Sequence, residues 1–144
     1  MNVGRILAVK GSSVVTVTTE TPIKDVARIL KDRRIGSVVI SGDGLRVQGI
    51  VSERDIVHRM VEQGAGLLDL PVETIMSRNV VTCTPADTLN DLMSWMTAGR
   101  IRHLPVVDSG RLCGMISIGD VVKFRLDEIE HEAAAMCEYI ASAG

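Results

Sequence analysis

Gly49-Ile50-Val51-Ser52-Glu53-Arg54-Asp55 returns later in the chain as Gly114-Met115-Ile116-Ser117-Ile118-Gly119-Asp120, and this recurrence governs how the rest of the sequence reads. Working outward from it, Gly44 meets Gly110, Arg34-Ile35 meets Arg100-Ile101, and Asp25 meets Asp91. Further upstream, Val14-Val15-Thr16-Val17-Thr18 meets Val80-Val81-Thr82-Cys83-Thr84. The register slips once, where the first copy carries one extra residue in Leu45-Arg46-Val47-Gln48. A repeat held at a near-constant offset marks two copies of one supersecondary unit.

Each copy reads strand, helix, strand, turn, strand, helix. Val15-Thr16-Val17-Thr18 has the β-branched alternation of a strand. Thr21 and Asp87 are expected N-caps, with Pro22 at the first helical position. Ile23, Val26, Ala27 and Leu30 follow helical spacing, and Leu89, Leu92, Met93 and Met96 repeat it. Ser37-Val38-Val39-Ile40 and Leu104-Pro105-Val106-Val107 are apolar runs suited to buried strands. Ser41-Gly42-Asp43-Gly44 and Asp108-Ser109-Gly110 are turns, after which Ser52 and Ser117 open the last helix of each copy. Three short strands leave one apolar face uncovered. Two copies related by a pseudo-twofold would cover both and leave two matching clefts.

Aromatic residues are only 2% of the 144-residue chain, so the core must be aliphatic, and stacking on single-stranded nucleic acid is excluded. A net charge of -2 gives no reason to expect a nucleic acid or an anionic membrane as partner. Cys83, Cys113 and Cys137 are far apart and are expected to be buried, reduced thiols. The N-terminal stretch lacks the apolar run of a signal peptide, and no segment approaches the ~20 apolar residues of a membrane span. The expectation is a soluble, cytoplasmic protein.

The order of elements, the Gly-Ile-Val-Ser-Glu-Arg-Asp and Gly-Met-Ile-Ser-Ile-Gly-Asp endings, and Arg100-Ile101-Arg102-His103-Leu104-Pro105-Val106-Val107 closely resemble the cystathionine-β-synthase (CBS) domain family. Lead-in segments also match, Ile6-Leu7 before the first copy and Val72-Glu73-Thr74-Ile75-Met76 before the second. The resemblance implies an α+β fold of two CBS repeats, each β-α-β-β-α, packed by a pseudo-twofold into one CBS-pair (Bateman) module. Repeat 1 with its lead-in would span 5–62, repeat 2 with its lead-in 72–126, and a C-terminal helical tail 127–144. It further implies a regulatory module, not an enzyme, that binds adenosine-containing ligands (AMP, ADP, ATP, NAD(H) or S-adenosylmethionine) in the clefts and relays occupancy to a regulated protein. A homodimeric disc of four repeats is the implied assembly.

Carried onto this sequence, one site would use Asp120, Ser117 and Gly119 against the ribose, with Met115, Arg102 and His103 from the same copy. Val14, Thr16, Ile35 and Gly36 would come across from repeat 1. The matching site would use Asp55, Ser52, Arg54, Ile50 and Ser37, with Val80, Thr82, Ile101 and Arg102 from repeat 2.

The residue types suit that chemistry. One carboxylate accepts both hydroxyls of a ribose diol, a β-branched slot holds a purine, and helix N-termini with cations hold phosphate. Ser-x-x-Asp is also a capping pattern, so helix capping remains an alternative role for Ser52, Asp55, Ser117 and Asp120. Arg102 and His103 give the Asp120 cleft the stronger claim to phosphate, while Glu53 would oppose phosphate in the Asp55 cleft. Arg33 and Arg34 read as complements of a helix C-terminus. The three histidines show no metal-ligand spacing, and no nucleophile elbow, Walker loop or dinucleotide fingerprint is present, so neither a metal nor catalysis is expected. The rival reading is an interaction module with vestigial clefts. Leu126, Ile129, Ala133, Met136 and Ile140 form an apolar stripe on the tail that would dock on a dimer mate or on another protein.

Overall fold

The computed structural model describes residues 1–143. Helix α1 (Val3–Lys10) precedes repeat 1, which comprises β1 (Thr16–Val17), α2 (Ile23–Arg33), β2 (Ser37–Ile40), β3 (Gly49–Ser52) and α3 (Glu53–Gln63). Short 3-10 turns at Ala65–Asp69 and Val72–Thr74 lead to repeat 2: α4 (Leu89–Gly99), β4 (His103–Asp108), β5 (Arg111–Ser117) and α5 (Ile118–Ala143). The tail is thus the unbroken continuation of the last helix of repeat 2.

Repeat 1 forms a sheet ordered β1-β2-β3, with β1 parallel and β3 antiparallel to β2. Repeat 2 keeps the antiparallel β4-β5 pair and reduces its first strand to a parallel bridge between Cys83 and Val106. The expected strand at Val80–Thr84 is therefore a single rung. Pro105, where repeat 1 has Val39, has no N–H to match the bond from Val39 N–H to Val15 O, so the neighbouring rung is lost.

Two helix starts differ from expectation. Pro22 stays extended at ψ 143 and is the cap itself rather than the first helical residue, while the Thr21 hydroxyl meets that of Thr18. In repeat 2 the cap is Thr88, one residue beyond Asp87, because Asp91 sits three residues on and completes a capping box. Asp87 instead accepts the Thr84 N–H at 2.7 Å. Arg34 and Arg100 end α2 and α4 in the left-handed region, at φ 54 and 52, and their backbone N–H groups bond the last helical turns.

Each repeat has its own aliphatic core, and each core is completed by the lead-in of the other repeat. Val3 and Ile6 of α1 are fully buried with Leu89, Leu92, Leu104 and Ile116 of repeat 2. Val72, Ile75 and Met76 are buried with Ile23, Val38 and Val51 of repeat 1. The backbone exchange is matched on both sides. Val3 N–H donates to Asp87 and Leu89 N–H to Met1, as Val72 N–H donates to Thr21 and Ile23 N–H to Leu70. The close approaches match too: Leu7 lies where a Cβ on Gly114 would be, and Met76 where one on Gly49 would be. Closure of the sheets thus involves traded segments, which the face-to-face picture alone did not contain.

The thiols differ from one another. Burial pushes Cys83 up to about 12, whereas Cys113 is half-buried and Cys137 is exposed, so the expectation of three buried thiols holds only for the first.

The exchange makes a test. Ile6→Ala is expected to cost about 2–5 kcal/mol and to deprotect β4 and β5 in hydrogen exchange before β2 and β3. Ile75→Ala is expected to reverse that order. Equal deprotection of both repeats by both variants would contradict the assignment.

Candidate functional site

The β3–α3 junction builds one half of a cleft. Ser52 caps α3, its hydroxyl accepting from Asp55 N–H at 3.2 Å, while Asp55 Oδ2 accepts from Ser52 N–H at 2.9 Å. This reciprocal box fixes the carboxylate and leaves Oδ1 with no hydrogen-bond partner among the described residues. The β5–α5 junction repeats the device, with Ser117 N–H donating to Asp120 Oδ2 at 2.8 Å and Asp120 N–H to Ser117 Oγ at 3.1 Å. Capping is therefore a role of both aspartates. It does not consume either carboxylate.

Beside Asp55 lies an open cavity of about 260 Å³, close to the ~300 Å³ lower end of small-molecule sites. Gly36, Ser37, Ile50, Ser52, Glu53, Arg54 and Asp55 line it from repeat 1, and Ser77, Asn79, Val80, Val81, Arg100, Ile101, Arg102 and His103 from the other side. Ser37 is 6% exposed, and its Oγ has no hydrogen-bond partner. A buried hydroxyl left unpaired costs about 1–3 kcal/mol.

Three arginines, Arg54, Arg100 and Arg102, and two carboxylates, Glu53 and Asp55, line this space. His103 adds no charge at neutral pH. Burial lowers its pKa, and Lys10 and Arg102 add to that effect, outweighing the opposite pull of Glu53 and Asp120. Its ring lies over Gly36, where a Cβ would come within 3.0 Å of Cε1 and Nε2. Only glycine allows the imidazole to fill that position.

The second groove is different. Lys10 Nζ sits 2.5 Å from Asp120 Oδ2 and 2.5 Å from the Met115 carbonyl oxygen. Burial raises the Asp120 pKa, but the lysine and the Ser117 bonds outweigh it, and the net shift is downward.

Among the residues carried over from the resemblance, Ser37, Ile50, Ser52, Arg54, Asp55, Val80 and Ile101 come together in the cavity, and Thr82 does not line it. Arg102, expected for both sites, and Gly36 and His103, expected for the Asp120 groove, line the Asp55 cavity. Val14, Thr16, Ile35, Met115, Ser117, Gly119 and Asp120 lie outside it. The cations of the 100–103 stretch thus line the Asp55 cavity, while Asp120 has Lys10 as its cationic partner. Ser77, Asn79, Val81 and Arg100 line the cavity without having been singled out. The alignment of Arg100 with Arg34 was visible, but its direction was not. No group of histidine, cysteine, aspartate and glutamate among the described residues is arranged to hold a metal ion.

Comparison with known proteins agrees with this architecture. The CBS domain family model matches residues 7–62 and again 72–127. The CBS domain-containing protein CBSX3, mitochondrial, of Arabidopsis thaliana is 32% identical over 127 residues, which cover 85% of this chain and 62% of that protein's length. The solved CBS-domain containing protein ATU1752 from Agrobacterium tumefaciens superposes with a TM-score of 0.84 at 46% identity, covering 87% of this chain and 99% of that one. The CBS domain protein PAE2072 from Pyrobaculum aerophilum, solved with AMP, gives a TM-score of 0.74 at 28% identity, covering 83% and 89%. The CBS domain pair of protein MJ0100, solved with 5-methylthioadenosine and S-adenosyl-L-methionine, gives 0.77 at 25%, covering 89% and 98%.

The buried imidazole sets a pH dependence. The unfolded chain takes up a proton near pH 6.5, the folded chain only at lower pH, so the unfolded state binds more protons in between. Stability should be full above about 6.5 and fall as pH drops from there towards the lower folded value. Thermal unfolding from about pH 7.5 to about pH 5 should show this fall. His103→Asn should flatten it; an unchanged profile would remove His103 as its source.

Proposed function

The chain belongs to the CBS-domain family, and from that premise we propose that it is a regulatory module whose Asp55 cavity binds an adenosine-containing ligand. A cavity walled by both repeats, with the unpartnered Oδ1 of Asp55 and three arginines in its lining, carries this reading. Asp55 would accept the ribose diol, and Ile50, Val80 and Ile101 would flank the purine. Arg54, Arg100, Arg102 and the N-terminus of α3 would meet phosphate. The AMP and adenosyl complexes of the two related CBS proteins support the ligand class. Three arginines favour AMP or a longer nucleotide over an uncharged nucleoside. The physiological role is sensing rather than catalysis, because the cavity holds a grip for a sugar and a phosphate but no arranged nucleophile and base. Its walls come from both repeats, so a ligand that tightens them would shift the tilt of one repeat on the other and relay occupancy to a regulated protein.

Isothermal titration with AMP should show binding that weakens roughly 10- to 100-fold in Asp55→Asn, the loss of one charge-assisted bond of about 1.5–3 kcal/mol. Asparagine retains an acceptor for the α3 cap, so the unfolding midpoint should move little. Absence of any heat or thermal shift with AMP, ATP, NADH and S-adenosylmethionine would favour the interaction module with vestigial clefts instead.

The same reading includes self-association. On α5, Val122, Leu126, Ile129, Ala133, Met136 and Ile140 are spaced alternately by four and three residues, a coiled-coil seam. Leu126, Ile129, Met136 and Ile140 are 54%, 45%, 59% and 63% exposed. The seam runs into an apolar groove of about 270 Å³ between α4 and α5, lined by Met93, Met96, Ile118 and Val121. A second copy is the occupant it fits: parallel, in-register pairing matches the seam to itself and sets Arg125 against Glu130 of the partner subunit twice. Sedimentation of the full chain should show a dimer, and Ile129→Glu with Met136→Glu a folded monomer. A monomer in the parent protein at high micromolar concentration would end this proposal.

A further inference from the structure

The two grooves of a pair related by a pseudo-twofold ought to be alike, and here one difference between them lies in the length of a lead-in. Leu7 and Met76 are counterparts, since each presses on the strand glycine of the opposite repeat, Gly114 or Gly49. Val14 and Val80 are counterparts as well. Between Leu7 and Val14 lie Ala8-Val9-Lys10-Gly11-Ser12-Ser13, but between Met76 and Val80 only Ser77-Arg78-Asn79. The longer connection completes the last turn of α1 and ends it at Lys10, with Gly11 as cap at φ 103. The shorter one stays out of helix and pairs with the strand.

The consequence shows in two equivalent carbonyls. Ile50 O accepts the backbone N–H of Ser77 at 2.9 Å. Its counterpart, Met115 O, accepts Lys10 Nζ, because the helical turn has carried the backbone away from β5. The same ammonium then reaches Asp120 Oδ2. A protonated amine carrying several N–H donors thus sits in the Asp120 groove on the capping oxygen Oδ2, beside the free Oδ1, and its charge neutralises the carboxylate that would receive a ribose. Near Asp55 the lead-in offers Ser77 and Asn79 instead, and the carboxylate is left facing open space.

We infer that Lys10 is a built-in occupant of the Asp120 groove that limits the chain to one ligand, held in the Asp55 cavity. The inference rests on the adenosyl-binding reading of these clefts, and it adds which of them is open and what closes the other. It also makes the second groove conditional. A ligand there must first displace an ammonium from a half-buried carboxylate, and that displacement would loosen α1 from the core of repeat 2.

Titration with AMP, counting sites per chain, separates the possibilities. Lys10→Met keeps the length of the side chain and removes its charge, and the unfolding midpoint of each variant checks that the fold survives. The parent protein should bind one equivalent, weakened roughly 10- to 100-fold in Asp55→Asn. Lys10→Met should bind two, and Lys10→Met with Asp55→Asn should retain one unweakened, which adding Asp120→Asn weakens in turn. One site in both the parent and Lys10→Met overturns the inference and leaves the proposed function standing. Two sites in the parent that fall to one in Lys10→Met overturn it in the opposite sense, making the lysine a ligand contact. If the parent binds nothing but Lys10→Met gains an Asp120-dependent site, the gate stands and the Asp55 assignment falls. No binding by either protein overturns both.

Discussion

The trade of lead-in segments between the two repeats is the constraint on which the rest depends. Each repeat alone is a small sheet with two helices, too little to bury its own apolar face. The strands of repeat 1 are covered by Val72, Ile75 and Met76, and those of repeat 2 by Val3 and Ile6. Gly49 and Gly114 make this possible, because a side chain at either would occupy the space now filled by Met76 or Leu7. With those positions set, neither repeat can turn far relative to the other without opening a core. A cleft shared between them is therefore held at defined width.

The site inherits that rigidity. Asp55 and Asp120 are locked by the caps of α3 and α5, so their carboxylates stand in place before any ligand arrives. Capping and ligand binding draw on different lone pairs and do not compete. The contact of His103 with Gly36 adds a second fixed point, one repeat's strand end packed on the other's. Its imidazole is kept neutral by burial, so it fills space and offers hydrogen bonds while the arginines around it carry the charge.

Most of the fold was legible from the repeat itself, because apolar spacing and turn residues recur in register at positions such as Leu30 and Met96 or Gly44 and Gly110. Cap positions were off by one where a choice between neighbours, Thr21 or Pro22 and Asp87 or Thr88, depends on backbone angles that spacing does not carry. Much of the cavity wall was legible too, since the family resemblance carries Ser37, Ile50, Ser52 and Asp55 onto it. The contact of His103 with Gly36 on the Asp55 side was not legible. It depends on the tilt between repeats and on the room left by Gly36, both of which arise only after the chain closes. The role of Lys10 was equally hidden, for a lone lysine at a helix end reads as a complement to the helix dipole.

That hidden lysine bears on why a duplicated module keeps two unlike grooves. Duplication starts with equal sites, and equal sites respond to one ligand over one concentration range. A lead-in longer by one helical turn is enough to separate them, because it leaves the β4-β5 pairing and the capping boxes that hold the carboxylates in place. The change acts through a charge delivered from outside the groove, so the strand carbonyl and the aspartate remain intact beneath it. A groove silenced in this way retains its shape. It stays convertible by whatever moves α1, whereas loss of Asp120 itself would have removed both the grip and the helix cap together.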